Sequence, residues 1–343
     1  MARIELKPLS EQVVVIAGAS SGIGRDAALR FAEAGSKVVV AARSADGIES
    51  LVHEIEVQGG QAVSAVCDVS DREQVEAVAN LAIETYGRID TWVTNAAVVV
   101  YASFENTTTE EFRRVMEVNF MGQINCAQVA LPHLRRTGRG AIVSVGSGET
   151  VLSMPLNSAY AASKHAVEGA LDALRRELMA DKTPISITSI KPSAINTPFF
   201  NNGRNKMDVK PAGAPPVYDP SVVSQCILYA AAHPVRDLYA GGAARVMERG
   251  QRLTPRLTDL ALAKFGIPLE KTDEPATDRE GNLYAPSGDS RVQGDFSDVA
   301  LGASPYTWLA THPWARRILV GSLLLGATTW SSLRRNAVSS RRS

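Results

Sequence analysis

VVVIAGASSGIG, residues Val13–Gly24, combines a buried strand, a tight turn and the first turn of a helix. Its first five residues are apolar and mostly β-branched, which is typical of a strand covered on both faces of a parallel sheet. The turn has the spacing Gly18-x-x-x-Gly22-x-Gly24, and a helical pattern then continues to Ala34. Glycines let a backbone approach a pyrophosphate, and a helix N-terminus presents N–H groups to it. We therefore expect a nucleotide site at Gly18, Ser20, Ser21, Gly22, Ile23 and Gly24.

The same alternation of short apolar runs and helical patterns continues along the chain. Six further strands are predicted at Lys37–Ala42, Gln61–Asp68, Asp90–Thr94, Gly140–Val145, Ile185–Ile190 and Asp237–Ala244. Long helices are predicted at Glu110–Leu134 and Ser158–Met179. This rhythm predicts an α/β fold, a Rossmann-like doubly wound parallel sheet of about seven strands. We place one main domain at residues 8–250, a helix and polar wrap at 251–304, and a basic and apolar helical tail at 305–343.

The residues that follow the second strand indicate which dinucleotide the site prefers. An acid at this place holds the ribose 2′-hydroxyl in NAD enzymes. Here the strand ends at Ala42 and is followed by Arg43 and Ser44. A guanidinium suits a 2′-phosphate, so the sequence favours NADP(H) over NAD(H). The alternative is that Arg43 only begins a solvated helix.

Two later strand ends add candidate contacts to the cofactor. Asp68 and Val69 end the third strand, where an aspartate reaches the adenine amino group or, alternatively, caps the next helix. Asn95, Ala96 and Ala97 follow the fourth strand, and small side chains there let the backbone lie against a cofactor.

The stretch from Gly146 to His165, GSGETVLSMPLNSAYAASKH, carries the candidate acid/base chemistry. Tyr160 and Lys164 are four residues apart, so they project from one face of a helix. A nearby ammonium favours the phenolate and lowers the pKa of a tyrosine, which can then exchange a proton with an alcohol or carbonyl oxygen. Ser147 follows the fifth strand, where its hydroxyl can hold the same oxygen.

Together these motifs resemble the short-chain dehydrogenase/reductase family over about residues 10–250. The resemblance implies a catalytic tetrad of Asn119, Ser147, Tyr160 and Lys164, in which Tyr160 is the acid/base and Lys164 also binds the nicotinamide ribose. It implies that Pro192, Ile195 and Thr197 border the nicotinamide, and that the chain forms a dimer or tetramer. Two positions depart from the family pattern: Ala97 and Ser193 stand where glycine is usual, which predicts altered affinity rather than lost catalysis.

The segment after Thr197, PFFNNGRNKMDVKPAGAPPVYDP, is rich in Pro, Gly and Asn and resembles a mobile lid. Phe199, Phe200, Met207, Val98–Tyr101 and Leu152–Met154 supply apolar side chains for a pocket. We therefore expect a hydrophobic ketone or secondary alcohol as substrate. The alternative for these side chains is that they only pack the lid on the core. Two alternatives for the whole chain are an alcohol dehydrogenase of the same family that prefers NAD, and a non-enzymatic nucleotide-sensing scaffold.

Composition limits the remaining partners and the location. With 36 basic and 36 acidic residues, the chain gives no electrostatic reason to expect nucleic-acid binding. The three cysteines and five histidines lack metal-ligand spacing, so no metal is expected. No apolar signal region begins the chain, which predicts a cytoplasmic main body. Residues 314–335 join arginines and tryptophans to an apolar run, which predicts a membrane-associated tail. The alternatives are a tail packed on the protein or a sister subunit, and a loose tail.

Overall fold

A computed structural model describes residues 4–276 and 280–318. Its centre is a parallel sheet of seven strands in the order β7-β6-β5-β4-β1-β2-β3. The strands are β1 Val13–Ala17, β2 Lys37–Ala42, β3 Gln61–Val66, β4 Thr91–Thr94, β5 Gly140–Val145, β6 Ile185–Pro192 and β7 Asp237–Ala240. The order reverses between β1 and β4, where a doubly wound sheet opens a crevice for a ligand. The predicted Rossmann-like fold is confirmed.

Helices cover both faces of the sheet, and β1 shows why the apolar runs are continuous. Val15 and Ala17 belong to the core beneath one set of helices, whereas Val14 and Ile16 belong to the core on the other face. Successive strand side chains point to opposite faces, so each strand needs apolar residues throughout. The helices are α1 Gly22–Glu33, α2 Ala45–Val57, α3 Arg72–Tyr86, α4 Thr109–Met116, α5 Gly122–Thr137, α6 Ser158–Ala180, α7 Phe199–Asn202, α8 Pro220–Ala232, α9 Gly242–Leu253, α10 Pro255–Leu269 and α11 Pro305–Thr311.

The element bounds differ from the predicted ones at two informative places. The single helix predicted over Glu110–Leu134 is divided into α4 and α5 by a π-helical turn, Glu117–Met121, which carries Asn119. The last strand ends at Ala240 rather than Ala244, because Gly241 has a φ of 94° and begins the turn into α9.

Short strand pairs outside the main sheet organise the lid, residues 198–220. Val100–Tyr101 pairs with Arg204–Asn205, and Ala194–Ile195 pairs with Val217–Tyr218. Val209–Pro211 pairs antiparallel with Lys271–Pro275, a strand that follows α10. The lid is therefore tied both to the sheet domain and to the C-terminal region.

The C-terminal region then returns across the glycine turn as a strap, residues 281–301. The N–H of Asn282 donates to the carbonyl of Asn202, and the N–H of Leu301 donates to the carbonyl of Val217. Between these points the carbonyl of Arg291 accepts a hydrogen bond from the N–H of Gly22, at 2.9 Å. The strap thus lies beside the first turn of α1.

Candidate active site

A cleft opens at the carboxyl ends of β1, β4 and β5, where the strand order reverses. The strap and the lid form its outer walls, and its volume is about 280 Å³. Many of the predicted cofactor and catalytic residues border it, namely Gly18, Ser20, Ser21, Gly22, Ile23, Arg43, Ser44, Asp68, Val69, Asn95, Ala96, Ala97, Ser147, Tyr160, Lys164, Pro192, Ile195 and Thr197. Gly24 and Asn119 lie behind this wall rather than in it.

The glycine turn is held against the end of β4. Gly18 has a φ of 87°, and a Cβ there would lie 2.4 Å from the backbone nitrogen of Ala96. A Cβ on Gly24 would lie 2.0 Å from the carbonyl oxygen of Gly18. The Asn95 amide donates to that same carbonyl at 2.8 Å. Gly24 therefore packs the turn, and Asn95 and Ala96 fix its position.

Arg43 lies at the end of β2 and faces the cleft rather than a solvated helix. Its Nη2 donates to the carbonyl of Asn282 in the strap at 2.6 Å. Its Nη1 is buried and has no hydrogen-bond partner in the described part of the chain. Burial and the charge of Arg114 lower the pKa of Arg43, although Asp68 opposes this. Ser44 caps α2 by accepting from the N–H of Gly47.

Asp68 does not cap the next helix, because Asp71 accepts the N–H groups of Glu73 and Gln74 at the start of α3. Instead, Asp68 accepts a hydrogen bond from Arg114 of α4 at 2.6 Å and one from the Ser70 hydroxyl at 2.7 Å. Burial raises the pKa of Asp68, but these bonds outweigh it, so the net pKa is lowered. Sequence reasoning missed Arg114, which is 46 residues away.

The side chains of Ser147, Tyr160 and Lys164 meet in the cleft. Ser147 and Tyr160 both border it, and the Ser147 side chain is close enough to act on the pKa of the phenol. The Lys164 Nζ lies 5.4 Å from the centroid of the Tyr160 ring and donates to the Val145 carbonyl at 3.0 Å. The arrangement brings a phenol, a hydroxyl and an ammonium to the position predicted from their spacing.

The electrostatics of this group differ from the expected ones. Burial, and then the charge of Glu149, raise the pKa of Tyr160 above its ordinary value, and the nearby Ser147 side chain only partly offsets them. Burial lowers the pKa of Lys164 to about 8, with Glu149 acting in the opposite sense. The expected lowering of the tyrosine pKa by Lys164 is therefore absent, because desolvation penalises both charged forms.

Asn119 lies directly behind the group. It is fully buried, its Oδ1 accepts from the N–H of Val98, and its Nδ2 donates to the Val98 carbonyl and the Ser163 hydroxyl. Its side chain thus joins the π-helical turn to the backbone of the loop that follows β4. Ser163 is on α6 between Tyr160 and Lys164, so Asn119 links the two helices that carry the site.

The substrate end of the cleft is lined by aromatic and apolar side chains. Phe199 packs on Tyr160 with ring centroids 5.6 Å apart, and Phe200 meets Phe199 edge to face at 6.1 Å. Tyr101 and Met154 also border the cleft. Met207 does not border the cleft and instead packs against the apolar cluster that contains Tyr101. For Met207 this agrees with the alternative that the side chain only packs the lid.

Two residues that sequence reasoning did not select border the same end, Glu149 and Glu270.

The departures from the family pattern cause no backbone strain, since neither Ala97 nor Ser193 has a positive φ. The Ser193 hydroxyl accepts from the N–H of Ala244 at 3.0 Å, which fixes the start of α9.

A family model described as short chain dehydrogenase matches residues 12–208. The chain belongs to the short-chain dehydrogenase family. Members are NAD(P)-dependent oxidoreductases acting on CH–OH groups, and this chain is one of them.

Relatives of this dehydrogenase cover different shares of its length. An uncharacterized oxidoreductase, YxnA of Bacillus subtilis, is 35% identical over 338 residues, which are 97% of this chain and 93% of the relative. The likeness to YxnA therefore extends through the strap. Glycine betaine reductase ATRR of Emericella nidulans is 33% identical over 66% of this chain, but only 18% of that protein is covered.

A solved structure resembles the same domain. It is an alcohol dehydrogenase from the archaeon Thermococcus sibiricus complexed with 5-hydroxy-NADP, with a TM-score of 0.58 and 27% identity. The match covers 66% of this dehydrogenase and 95% of the archaeal chain.

Within residues 4–276 and 280–318, no helix is both long and apolar enough to span a bilayer. The apolar run predicted to contact a membrane begins at Ile318 and otherwise lies outside the described residues.

Proposed function

We propose that this dehydrogenase is an NADP-dependent oxidoreductase that interconverts a ketone and a secondary alcohol, with Tyr160 as the acid/base. The observation that carries the proposal is the meeting of Ser147, Tyr160 and Lys164 in one cleft with the glycine turn. The raised pKa of Tyr160 keeps its phenol protonated near neutral pH, so it can donate a proton to a carbonyl oxygen as the oxygen gains charge.

The remaining members of the group have separate roles in this proposal. Ser147 binds the substrate oxygen and orients it toward the Tyr160 hydroxyl. Lys164 binds the nicotinamide ribose and holds a positive charge close to the phenol, which favours phenolate when an alcohol is oxidised. Asn119 is a positioning residue here, since its side chain is hydrogen-bonded to Val98 and Ser163. The nicotinamide, when bound, supplies or accepts the hydride.

The preference for NADP is supported by Nη1 of Arg43, which is buried and has no partner among residues 4–276 and 280–318. A buried guanidinium nitrogen without an acceptor is costly, and a 2′-phosphate is an acceptor of suitable charge. The cofactor named for the Thermococcus sibiricus enzyme, 5-hydroxy-NADP, carries such a phosphate. Gly18, Gly22, Asp68 and Thr197 border the rest of the cleft that the dinucleotide would fill.

Tyr160→Phe tests the proposed role of the phenol. The variant keeps the aromatic ring that packs on Phe199 but loses the proton donor, so we expect kcat to fall by about a hundredfold or more. NADPH affinity, followed by fluorescence titration, should stay within about threefold of the wild-type value. Tyr229→Phe, a change far from the cleft on α8, is the matched control. Full turnover by Tyr160→Phe would overturn the proposal.

The substrate end supports a largely hydrophobic ketone or alcohol, because Phe199, Phe200 and Met154 border it. We also propose that the chain is cytoplasmic and forms a dimer or tetramer, which light scattering of the purified protein tests. Contact of residues 314–335 with a membrane stays a prediction. It fails if the full-length protein fractionates without detergent entirely into the soluble phase.

A further inference from the structure

Two carboxylic acids border the substrate end of the cleft beside Tyr160. Glu149 follows Ser147 by two residues, and its N–H donates to the Ser147 hydroxyl oxygen at 3.1 Å. Glu270 follows α10, and its carbonyl accepts a bond from the N–H of Ala212 in the lid at 3.0 Å. The catalytic loop and the lid therefore each bring one carboxyl group to the same end of the cleft.

These acids lack the partners that buried carboxyl groups normally have. Glu270 is only 5% exposed, and its carboxyl has no hydrogen bond or ion pair among residues 4–276 and 280–318. Glu149 accepts two long bonds of 3.2 Å, from the N–H of Met154 and the amide of Asn157. The Oδ1 of Asn157, which is 4% exposed, is buried without any partner in that part of the chain. A buried acceptor such as this Oδ1 is costly unless a ligand provides the donor.

The other titratable groups facing the pair are Tyr101, Tyr160 and Lys164. Lys164 is the one cation among them, and it donates to the Val145 carbonyl. Burial, followed by the charge of Glu270, raises the pKa of Glu149. Burial raises the pKa of Glu270 to about 8. A cation that enters the cleft would favour the ionised form of both carboxyl groups and so lower both pKa values again.

Aromatic rings complete this end of the cleft. Tyr101, Tyr160, Phe199 and Phe200 border it, and the last three pack in series with centroid distances of 5.6 and 6.1 Å. Ring faces attract cations, especially ammonium groups with methyl substituents, and they also suit apolar carbon. Aromatic rings beside two buried carboxyl groups form a better complement to an alkylated ammonium than to a neutral hydrocarbon.

We propose that Glu149 and Glu270 select substrates that carry an ammonium group close to the reacting carbonyl or alcohol carbon. The inference rests on the proposed function for the reaction itself and names the substrate class of that site. It replaces a plain hydrophobic ketone with a cationic one that still has an alkyl body. The reaction stays balanced: reduction adds a hydride from NADPH to carbon and a proton from Tyr160 to oxygen.

Two ketones of the same shape isolate the effect of charge. Acetonyltrimethylammonium and 4,4-dimethylpentan-2-one differ in a single atom, a nitrogen cation in place of a quaternary carbon. The purified full chain is assayed with each ketone by following NADPH oxidation. We expect kcat/KM for the cationic ketone to exceed that for the neutral one by about tenfold or more, as for a close desolvated charge pair.

Variants link the preference to the acids. Glu270→Gln keeps the shape but removes the charge, and it should lower the ratio of the two kcat/KM values by about tenfold. Glu274→Gln makes the same change four residues further on, at a side chain that is 67% exposed, and should leave the ratio unchanged. Unaltered NADPH affinity would show that the Glu270→Gln variant is folded. If that variant does not bind NADPH normally, Glu149→Gln is used in its place.

The outcomes separate this inference from the proposed function. Turnover of both ketones with equal or greater kcat/KM for the neutral one overturns the inference but sustains the oxidoreductase. If neither ketone is turned over, calorimetry of the cationic ketone with the NADPH complex decides. Binding that Glu270→Gln abolishes supports the cation site and counts against the proposed reaction, whereas no binding overturns both.

Discussion

Replacing Arg43 with alanine should remove the proposed preference for NADPH, so that the site hardly distinguishes NADPH from NADH. In the structure, one N–H of Nη2 donates to the Asn282 carbonyl, and the buried Nη1 has no partner among the described residues, so we assign Nη1 to the 2′-phosphate. A hydrogen bond between charged groups contributes about 1.5–3 kcal/mol. At about 1.4 kcal/mol per tenfold, the dissociation constant of NADPH should rise roughly 10- to 150-fold.

NADH provides the internal comparison for the same variant. Because NADH has no 2′-phosphate, Nη1 stays unpaired when it binds, and the alanine variant loses no bond to the cofactor. We expect the dissociation constant of NADH to change by less than about threefold, with slight tightening because an uncompensated buried charge is removed. Both constants come from fluorescence titration of the purified chain, without any substrate.

Two further variants serve as controls for the role of Arg43. Arg43→Lys keeps a positive charge but loses the fork, and it should give an intermediate NADPH affinity. Arg72→Ala removes an exposed arginine that pairs with Glu76 on α3, and it should leave both constants unchanged. Equal weakening of NADPH and NADH by Arg43→Ala would mean that Arg43 only supports the strap, and the reasoning would be refuted.

Two other changes test the strap and the buried acid. A Cβ on Gly294 would lie 2.5 Å from the Thr197 carbonyl oxygen, so Gly294→Ala should displace the strap and weaken NADPH binding by about tenfold or more. The control is Gly302→Ala, which should leave NADPH binding unchanged because a Cβ on Gly302 would meet no atom within 4 Å. Burial raises the pKa of Glu270 from 4.5 to about 8, so the folded state holds this proton more tightly than the unfolded one. The contribution of Glu270 to the free energy of unfolding therefore falls as pH rises between these values, and Glu270→Gln should gain ~5 kcal/mol relative to wild type over that window in urea titrations. A gain independent of pH would contradict the assigned protonation.

The sheet was predictable because the information for it is local. β1, β2 and β5 have the predicted bounds, since a run of β-branched residues between glycine or polar neighbours specifies a covered strand by itself. The division of Glu110–Leu134 was not predictable in the same way. Its π-helical turn accompanies bonds between Asn119 and the backbone of Val98, and the two residues are 21 positions apart.

The walls of the cleft depend on still more distant contacts. Arg43 meets the carbonyl of Asn282, which is 239 residues away, and the polar composition of the strap does not indicate where it returns. Glu149 and Glu270 are 121 positions apart in the sequence, and neither belongs to a recognisable motif. Sequence patterns therefore predict the frame that holds the reacting groups better than they predict the surfaces that recognise a ligand.

The tyrosine and the lysine show a further limit of motif spacing. Four residues of helix bring Lys164 to 5.4 Å from the Tyr160 ring, as predicted, but the pKa of each group depends on what surrounds them. Burial makes the phenol a weaker acid and the ammonium a stronger one, and Glu149 adds to the first effect while opposing the second.

The resting site thus holds a neutral phenol, which favours proton donation to a carbonyl. Burial is the larger cause of the neutral phenol, and Glu149 adds to it when it is ionised. A cation beside an ionised Glu149 would offset that second contribution. Substrate charge and the acidity of Tyr160 are therefore coupled through one carboxyl group, and the sequence spacing contains no trace of that coupling.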